Sequence, residues 1–227
     1  MLTALRLRLK YFRDEISAVA AIEFAMIVPL LVFFMVVEFD VYRYVMATQR
    51  LEIIAASVGQ MFASATASPN AITTGNGVVG DNDISFYTNS TYFVYPDMLT
   101  SPAMLQGTPW WRTVFVDAAG IKMVQAPGGT YKPVVVWHAA NGVSANTRQC
   151  NTTFSVNSNT SVTSPDTLPA GAIGPNSLIV VDVQSTFQPT FGSYFMSPLN
   201  IVRSVYVTPR NVPFVEYQGS GSMATNC

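Results

Sequence analysis

Residues 17–31 have the sequence SAVAAIEFAMIVPLL, and they open an apolar run that continues to Val37. Between Ile16 and Val37 the only formal charge is that of Glu23. At 1.5 Å of rise per helical residue the run is roughly 33 Å long, enough to cross a bilayer core of ~30 Å. A carboxylate at that depth costs about 2.5–3.5 kcal/mol on insertion scales, so by default it marks a function. We therefore expect a membrane helix in which Glu23 has a functional role.

The spacing around Glu23 suggests what that role is. A cut after Ala18 would leave a new amino group on Val19, four residues before Glu23 and therefore one helical turn away. The ammonium and the carboxylate would then share an apolar setting, either on one helix or between neighbouring helices. The alternative is a plain signal-anchor, in which Glu23 lies near the headgroups or stays protonated.

The pattern in residues 17–31, where Ala18 precedes Glu23-Phe24 and Pro29 follows, resembles the amino terminus of TadE-like proteins. These proteins are the minor pilins, or pseudopilins, of the tight-adherence, Flp-type pilus system. The resemblance implies that a membrane aspartyl prepilin peptidase cuts between Ala18 and Val19 and leaves Glu23 at the fifth mature position. It also implies that Glu23, Phe24 and Pro29 belong to the segment that enters the assembly. The family usually has glycine before the cut, where this chain has Ala18.

The resemblance further implies a role in assembly or initiation of a tight-adherence type IVb pilus. The implied partners are the prepilin peptidase, other pilin and pseudopilin subunits, the inner-membrane assembly platform and the membrane itself. We expect no enzymatic activity, no cofactor and no metal. TadG-like proteins share the amino-terminal pattern but add a von Willebrand type A domain, whose Asp-x-Ser-x-Ser motif this chain lacks. A different class of function remains open, namely a membrane-anchored periplasmic enzyme or sensor that uses the helix only as a tether.

Charge gives the topology and excludes one class of partner. The first thirteen residues contain Arg6, Arg8, Lys10 and Arg13, so the positive-inside rule places this arm in the cytoplasm and everything after Val37 outside. The resemblance implies that the membrane is the inner membrane of a bacterium and that the outer domain is periplasmic. With a net charge of −1 and scattered basic residues after Arg50, we expect no nucleic-acid partner. A cleavable secretory signal is the competing interpretation, but the small-residue site at 63–65 lies far beyond the apolar run.

These observations predict four regions: a basic leader (1–18), a transmembrane half-helix (19–37), an amphipathic extension of that helix (38–68) and a periplasmic β-rich domain (69–227). The extension is predicted because apolar residues recur at three- and four-residue steps, which is typical of a helix with one buried stripe. The stripe comprises Val37, Val41, Tyr44, Val45, Leu51, Ile54, Ala55, Val58, Met61 and Phe62. Pro69 is a stop signal, and Pro29 is expected to kink or open the helix. The alternative is two helices hinged near Phe39.

The fold class is predicted to be α+β, with a pilin-like antiparallel sheet laid on the long helix. Runs rich in Val, Ile, Tyr, Phe and Thr predict strands at residues 84–95, 113–117, 122–125, 133–137, 178–187 and 201–208. In residues 178–187 apolar and polar side chains alternate, which predicts a half-buried strand. Residues 141–175 are crowded with Ser, Thr and Asn, and we expect a long surface loop there.

The two cysteines, Cys150 and Cys227, are an even pair in an exported domain, and such pairs usually form a disulfide. Closing a loop of about 78 residues would stabilise the domain by roughly 4–5 kcal/mol in the chain-entropy treatment.

Candidate chemistry outside the membrane segment is sparse. His138, the chain's only histidine, has no partner histidine or Cys-x-x-Cys for a metal. Asp81 and Asp83 alternate as calcium ligands do, but the glycine and distal glutamate of an EF-hand are missing, so a solvated turn is favoured. Asp117 and Asp182 could form a carboxylate pair, although nothing in the sequence brings them together.

Overall fold

The computed structural model describes residues 16–96, 113–141, 148, 150, 155–157, 167–221 and 223–227. The predicted basic arm, residues 1–15, lies outside the described residues. The chain divides into two compact units. Unit one contains the chain up to Val45 together with Gln188–Pro198, and unit two contains Met46–Phe187 together with Leu199–Cys227.

The long helix, α1, extends without interruption over 48 residues, Ile16–Ala63. This confirms the prediction of a single helix, since α1 continues through Pro29 and past Phe39. It ends before the predicted stop at 68 because other groups take over its last carbonyls. The Ser64 hydroxyl donates to the Met61 carbonyl at 2.7 Å, and the Arg210 N–H donates to the Ala63 carbonyl at 3.0 Å.

The remaining described elements form an α+β arrangement, as predicted. In chain order they are β1 Gly77–Val79, α2 Asp81–Asn89, α3 Thr91–Val94, β2 Val114–Gln125, β3 Tyr131–Ala140, β4 Ser155–Asn157, β5 Thr167–Pro169, β6 Leu178–Phe187, β7 Leu199–Val207, β8 Val215–Tyr217 and β9 Ala224–Asn226. Five of the described strands make one antiparallel sheet in the order β7-β6-β2-β3-β9, and the other four make two parallel pairs, β1 with β8 and β4 with β5. Single turns of 3-10 helix occupy Ala170–Ala172 and Gly192–Tyr194.

The main core lies between α1 and one face of the sheet. The carboxyl-terminal part of the predicted stripe is buried: Leu51, Ile54, Ala55, Val58 and Phe62. The stripe prediction is wrong for Val37, Val41, Tyr44 and Val45, which are 37–55% exposed. Those four residues belong to unit one, whereas the sheet that buries the stripe belongs to unit two.

Two glycines of unit two allow close packing in this core. A Cβ on Gly59 would lie 3.4 Å from Val207 Cγ2, so the helix backbone approaches the sheet to van der Waals contact. A Cβ on Gly120 would lie 2.1 Å from Nε1 of Trp137, its cross-strand neighbour, so there is no space for a side chain. The buried Trp137 indole donates from Nε1 to the Val215 carbonyl at 2.7 Å.

The second face of the sheet carries a smaller apolar cluster. Its buried members are Ala119, Ile121, Met123, Val135, Leu168, Leu178 and Val180. A register shift between Gly120 and Ile121 places Val135 in this cluster while Trp137 joins the main core. The prediction that residues 178–187 are half-buried is therefore wrong, since both faces of β6 are buried from Leu178 to Val183.

The clearest error in the predicted elements concerns residues 84–95, which form α2 and α3 rather than a strand. Their aromatic and β-branched composition favours strands, but three of the buried side chains, Ile84, Thr88 and Thr91, follow a helical spacing. The Asp83 carboxylate accepts from the Gly80 N–H at 2.9 Å and caps α2. The runs at 113–117 and 122–125 are also wrong as separate strands, since both belong to β2.

Candidate functional site

The exposed part of α1 is the candidate site. Within the described residues, Ala20–Ala63 is the one helix long and apolar enough to cross a membrane. Most of its large apolar side chains from Ile22 to Val45 are 37–75% exposed, and only Val28 and Val36 are half-buried. An apolar surface of this extent is not left to water by soluble proteins. The surface therefore fits lipid or other apolar helices.

The residues predicted for processing and assembly all lie on α1. Ala18 and Val19 are in its first turn. Glu23 is one turn further on, and its side chain is exposed, as is that of Pro29. Phe24, next to the acid, is 67% exposed. The backbone thus places the Val19 nitrogen and Glu23 on one stretch of helix, with exposed apolar side chains on both sides of the acid.

A feature of unit one that the sequence did not predict is a loop fastened to α1. The Asp40 carboxylate accepts three backbone N–H bonds, from Thr190 at 2.9 Å, Phe191 at 3.1 Å and Gly192 at 2.8 Å. Arg43 donates to the Thr190 hydroxyl. A carboxylate at the start of a 3-10 turn satisfies N–H groups that the turn itself leaves open. The only signal in the sequence is the absence of charged residues from 188–198.

The predicted Cys150–Cys227 disulfide is present in unit two. The Cys227 N–H also donates to the Val136 carbonyl at 2.8 Å, which continues the pairing of β9 with β3. The disulfide therefore ties residue 150 to the β9 edge of the sheet.

The structure brings Asp117 and Asp182 together, which the sequence could not predict. They are directly opposite on β2 and β6. Arg148 forms a bidentate pair with Asp182, with Nε–Oδ2 at 2.7 Å and Nη2–Oδ1 at 3.1 Å, and both side chains are at least 92% buried. Like charges on opposite strands repel, and the Arg148 guanidinium compensates the charge of Asp182. The ion pair holds Arg148 against the sheet.

Two other titratable side chains lie on the same face of the sheet. Burial raises the pKa of the Tyr206 hydroxyl, and the nearby Arg148 charge partly opposes that rise. Burial lowers the pKa of His138, and its Nδ1 is buried without a hydrogen-bond partner among the described residues. Register places His138 opposite Ala119, which is not an acid. These groups form no nucleophile–base pair in the described part of the chain.

Two acids in or near β8 accept hydrogen bonds from backbone N–H groups. Asp81 accepts from the N–H groups of Ser220 at 3.1 Å and Gly221 at 2.9 Å and from the Tyr217 hydroxyl, so it holds a turn rather than facing solvent alone. Buried Glu216 accepts from the Asn76 amide at 2.6 Å. Burial by itself would raise the pKa of Glu216, but this bond and those from the Ile72 and Thr73 backbone outweigh it, and the pKa lies below the ordinary value of 4.5.

Together these features define an α+β protein whose described residues contain one candidate membrane helix and a disulfide-bonded sheet domain. A comparison of the chain with protein-family models, with curated proteins and with solved structures finds no match.

Proposed function

We propose that the chain is a minor pilin or pseudopilin that takes part in assembly or initiation of a tight-adherence type IVb pilus. It is inserted in the inner membrane as a prepilin, cut between Ala18 and Val19, and then transferred from lipid into a bundle of like helices. Its partners are the prepilin peptidase, other pilin subunits and the inner-membrane assembly platform.

The observation that carries this proposal is the position of Glu23. It lies one turn after the predicted new amino terminus, on a helix whose apolar side chains are exposed on both sides of it. A helix that serves only as a tether gains nothing from an acid in lipid, which costs about 2.5–3.5 kcal/mol. A helix that leaves lipid for an assembly gains a partner for the amino terminus that processing creates.

The test follows from the asymmetry of buried ion pairs. Removing one member leaves the other charge buried without compensation, which typically costs about 3–5 kcal/mol. Glu23→Ala should therefore reduce incorporation into the pilus or its initiating complex, while cleavage and folding of the sheet domain stay intact. Glu23→Gln keeps the size and polarity but cannot neutralise an ammonium, so it should fail in the same way.

Glu38 provides a matched control, because it is an exposed acid on the same helix just outside the apolar run. Glu38→Gln should assemble like the wild type. The measurement is co-purification of each variant with the other pilus subunits, together with counts of surface pili. If both Glu23 variants assemble normally, the acid is incidental and the chain is better described as a tethered enzyme or sensor.

Processing is tested separately by mass spectrometry of the protein extracted from its own membranes. The expected mature chain begins at Val19, and Ala18→Gly should be cut at least as well. An intact chain in cells with active peptidase would refute the predicted cut.

A further inference from the structure

The loop Gln188–Pro198 of unit one has an unusual surface. It contains no charged residue, and several of its large apolar side chains are exposed. Phe195 is 88% exposed, Met196 52% and Phe191 46%. Exposed aromatic residues grouped in this way indicate a surface that another apolar phase covers.

The loop is held at a defined level of α1. Its three consecutive N–H groups bind the Asp40 carboxylate, and the Phe191 ring meets the Phe39 ring edge-on at 6.1 Å between centroids. Asp40 follows Val37, the end of the apolar run, by three residues, or about 4.5 Å along the helix axis. The loop is therefore fixed where the membrane-spanning segment ends.

We propose that this loop inserts its aromatic tip into the headgroup–acyl boundary of the outer leaflet, as a second membrane contact beside the helix. The proposal rests on the membrane span of the proposed function. Aromatic side chains favour this boundary, and interfacial apolar faces bury about 5–10 Å into it. Arg43, a cation near the loop, donates to Thr190 and lies 6.0 Å from the Phe39 ring centroid. The contact is therefore hydrophobic and needs no anionic lipid.

Site-directed spin labelling of the full chain in lipid nanodiscs tests the insertion. The two native cysteines are joined in a disulfide, so an added cysteine can be labelled selectively. Phe195→Cys reports on the loop. Phe93→Cys in unit two is the matched control, because Phe93 is also 88% exposed. Leu31→Cys, within the apolar run, reports on the helix.

Relative accessibility to oxygen and to a nickel chelate gives the depth of each label. The label at 195 should shift to lipid-like values, with high oxygen and low nickel accessibility, while the label at 93 stays aqueous. The depth at 195 should be the same in phosphatidylcholine and in mixtures with phosphatidylglycerol. An aqueous reading at 195 with a lipid reading at 31 would overturn the loop proposal alone. An aqueous reading at 31 would overturn the membrane span on which it rests.

Asp40→Asn tests whether the bonds of Asp40 hold the loop in place. Nanodiscs that hold a single chain test whether lipid or a second copy covers the loop. Loss of the carboxylate charge weakens the three N–H bonds, so the label at 195 should move toward water while the label at 31 is unchanged. If the lipid-like reading at 195 disappears in nanodiscs that hold a single chain, a second copy covers the loop and the proposal is wrong. If it persists there, the lipid is the occupant.

Discussion

Replacing Gly120 by alanine tests how the main core is built. The new Cβ would lie 2.1 Å from Nε1 and 2.4 Å from Cε2 of Trp137, so the indole must retreat by about 1 Å or more to reach ordinary contact. That movement breaks the 2.7 Å bond from Nε1 to the Val215 carbonyl. The indole also packs against Phe62, with ring centroids 5.6 Å apart, so the disturbance reaches α1.

The expected loss of stability has two parts. A buried donor and acceptor left without each other cost about 1–3 kcal/mol, and overpacking costs a further ~1–3 kcal/mol. Gly120→Ala should therefore lower the free energy of unfolding by about 2–6 kcal/mol, a large share of the ~5–15 kcal/mol typical of whole domains. With a urea slope near 2 kcal/mol per molar, the unfolding midpoint should fall by roughly 1–3 M.

The assay is urea unfolding of the full chain in detergent micelles, followed by near-ultraviolet circular dichroism. Gly171→Ala is the control, because a Cβ there meets no atom within 4 Å, and its midpoint should stay within the error. In a Trp137→Phe background, the cost of Gly120→Ala should shrink, since the two residues are coupled. A Gly120→Ala midpoint equal to that of Gly171→Ala would refute the packing described here.

The buried charges and the disulfide give three more tests. Arg148→Met should lower the free energy of unfolding by about 3–5 kcal/mol because it leaves the buried Asp182 charge without its partner. Adding Asp182→Leu should recover most of this loss. An Arg148→Met variant as stable as the wild type in urea would contradict the prediction. Since the folded pKa of Glu216 lies below its ordinary 4.5, its contribution to stability is present above that value and is lost as pH falls through the folded pKa. Glu216→Gln should therefore reduce the fall of the urea unfolding midpoint at acid pH. A fall equal to that of the wild type would contradict this role of Glu216. Reduction of the Cys150–Cys227 bond should cost up to about 4–5 kcal/mol, and a non-reducing peptide map should recover the two peptides linked; free thiols at both positions would overturn the pairing.

The parts of the fold that the sequence predicted are those where one pattern persists. The long helix follows from an apolar run that ends at Val37 and a helical spacing that continues to Phe62, and the structure confirms it as Ile16–Ala63. The bounds of β6 were predicted correctly as 178–187, because turn residues flank a run of Val and Ile. The α+β class follows from these two patterns together.

The parts that the sequence did not predict depend on contacts between distant residues. Residues 84–95 have strand-like composition, but tertiary packing and the Asp83 cap make them helical. Asp117 and Asp182 meet through the register of β2 and β6, and Arg148 binds Asp182 from a segment rich in polar residues. The bond between Asp40 and the 188–198 loop joins groups 150 residues apart. Periodicity carries no information about such pairs.

The order in which the chain emerges from the ribosome has a consequence for its folding. The apolar stripe of α1 from Leu51 to Phe62 is covered by residues of strands β6 and β7. The second of these strands, β7, ends at Val207, close to the end of the chain. At 5–20 residues per second of synthesis, roughly 7–30 s separate the emergence of Phe62 from that of Val207. Such long-range pairing also closes slowly. During this interval the stripe has no sheet to cover it, so the nascent chain exposes an apolar surface that is prone to aggregate.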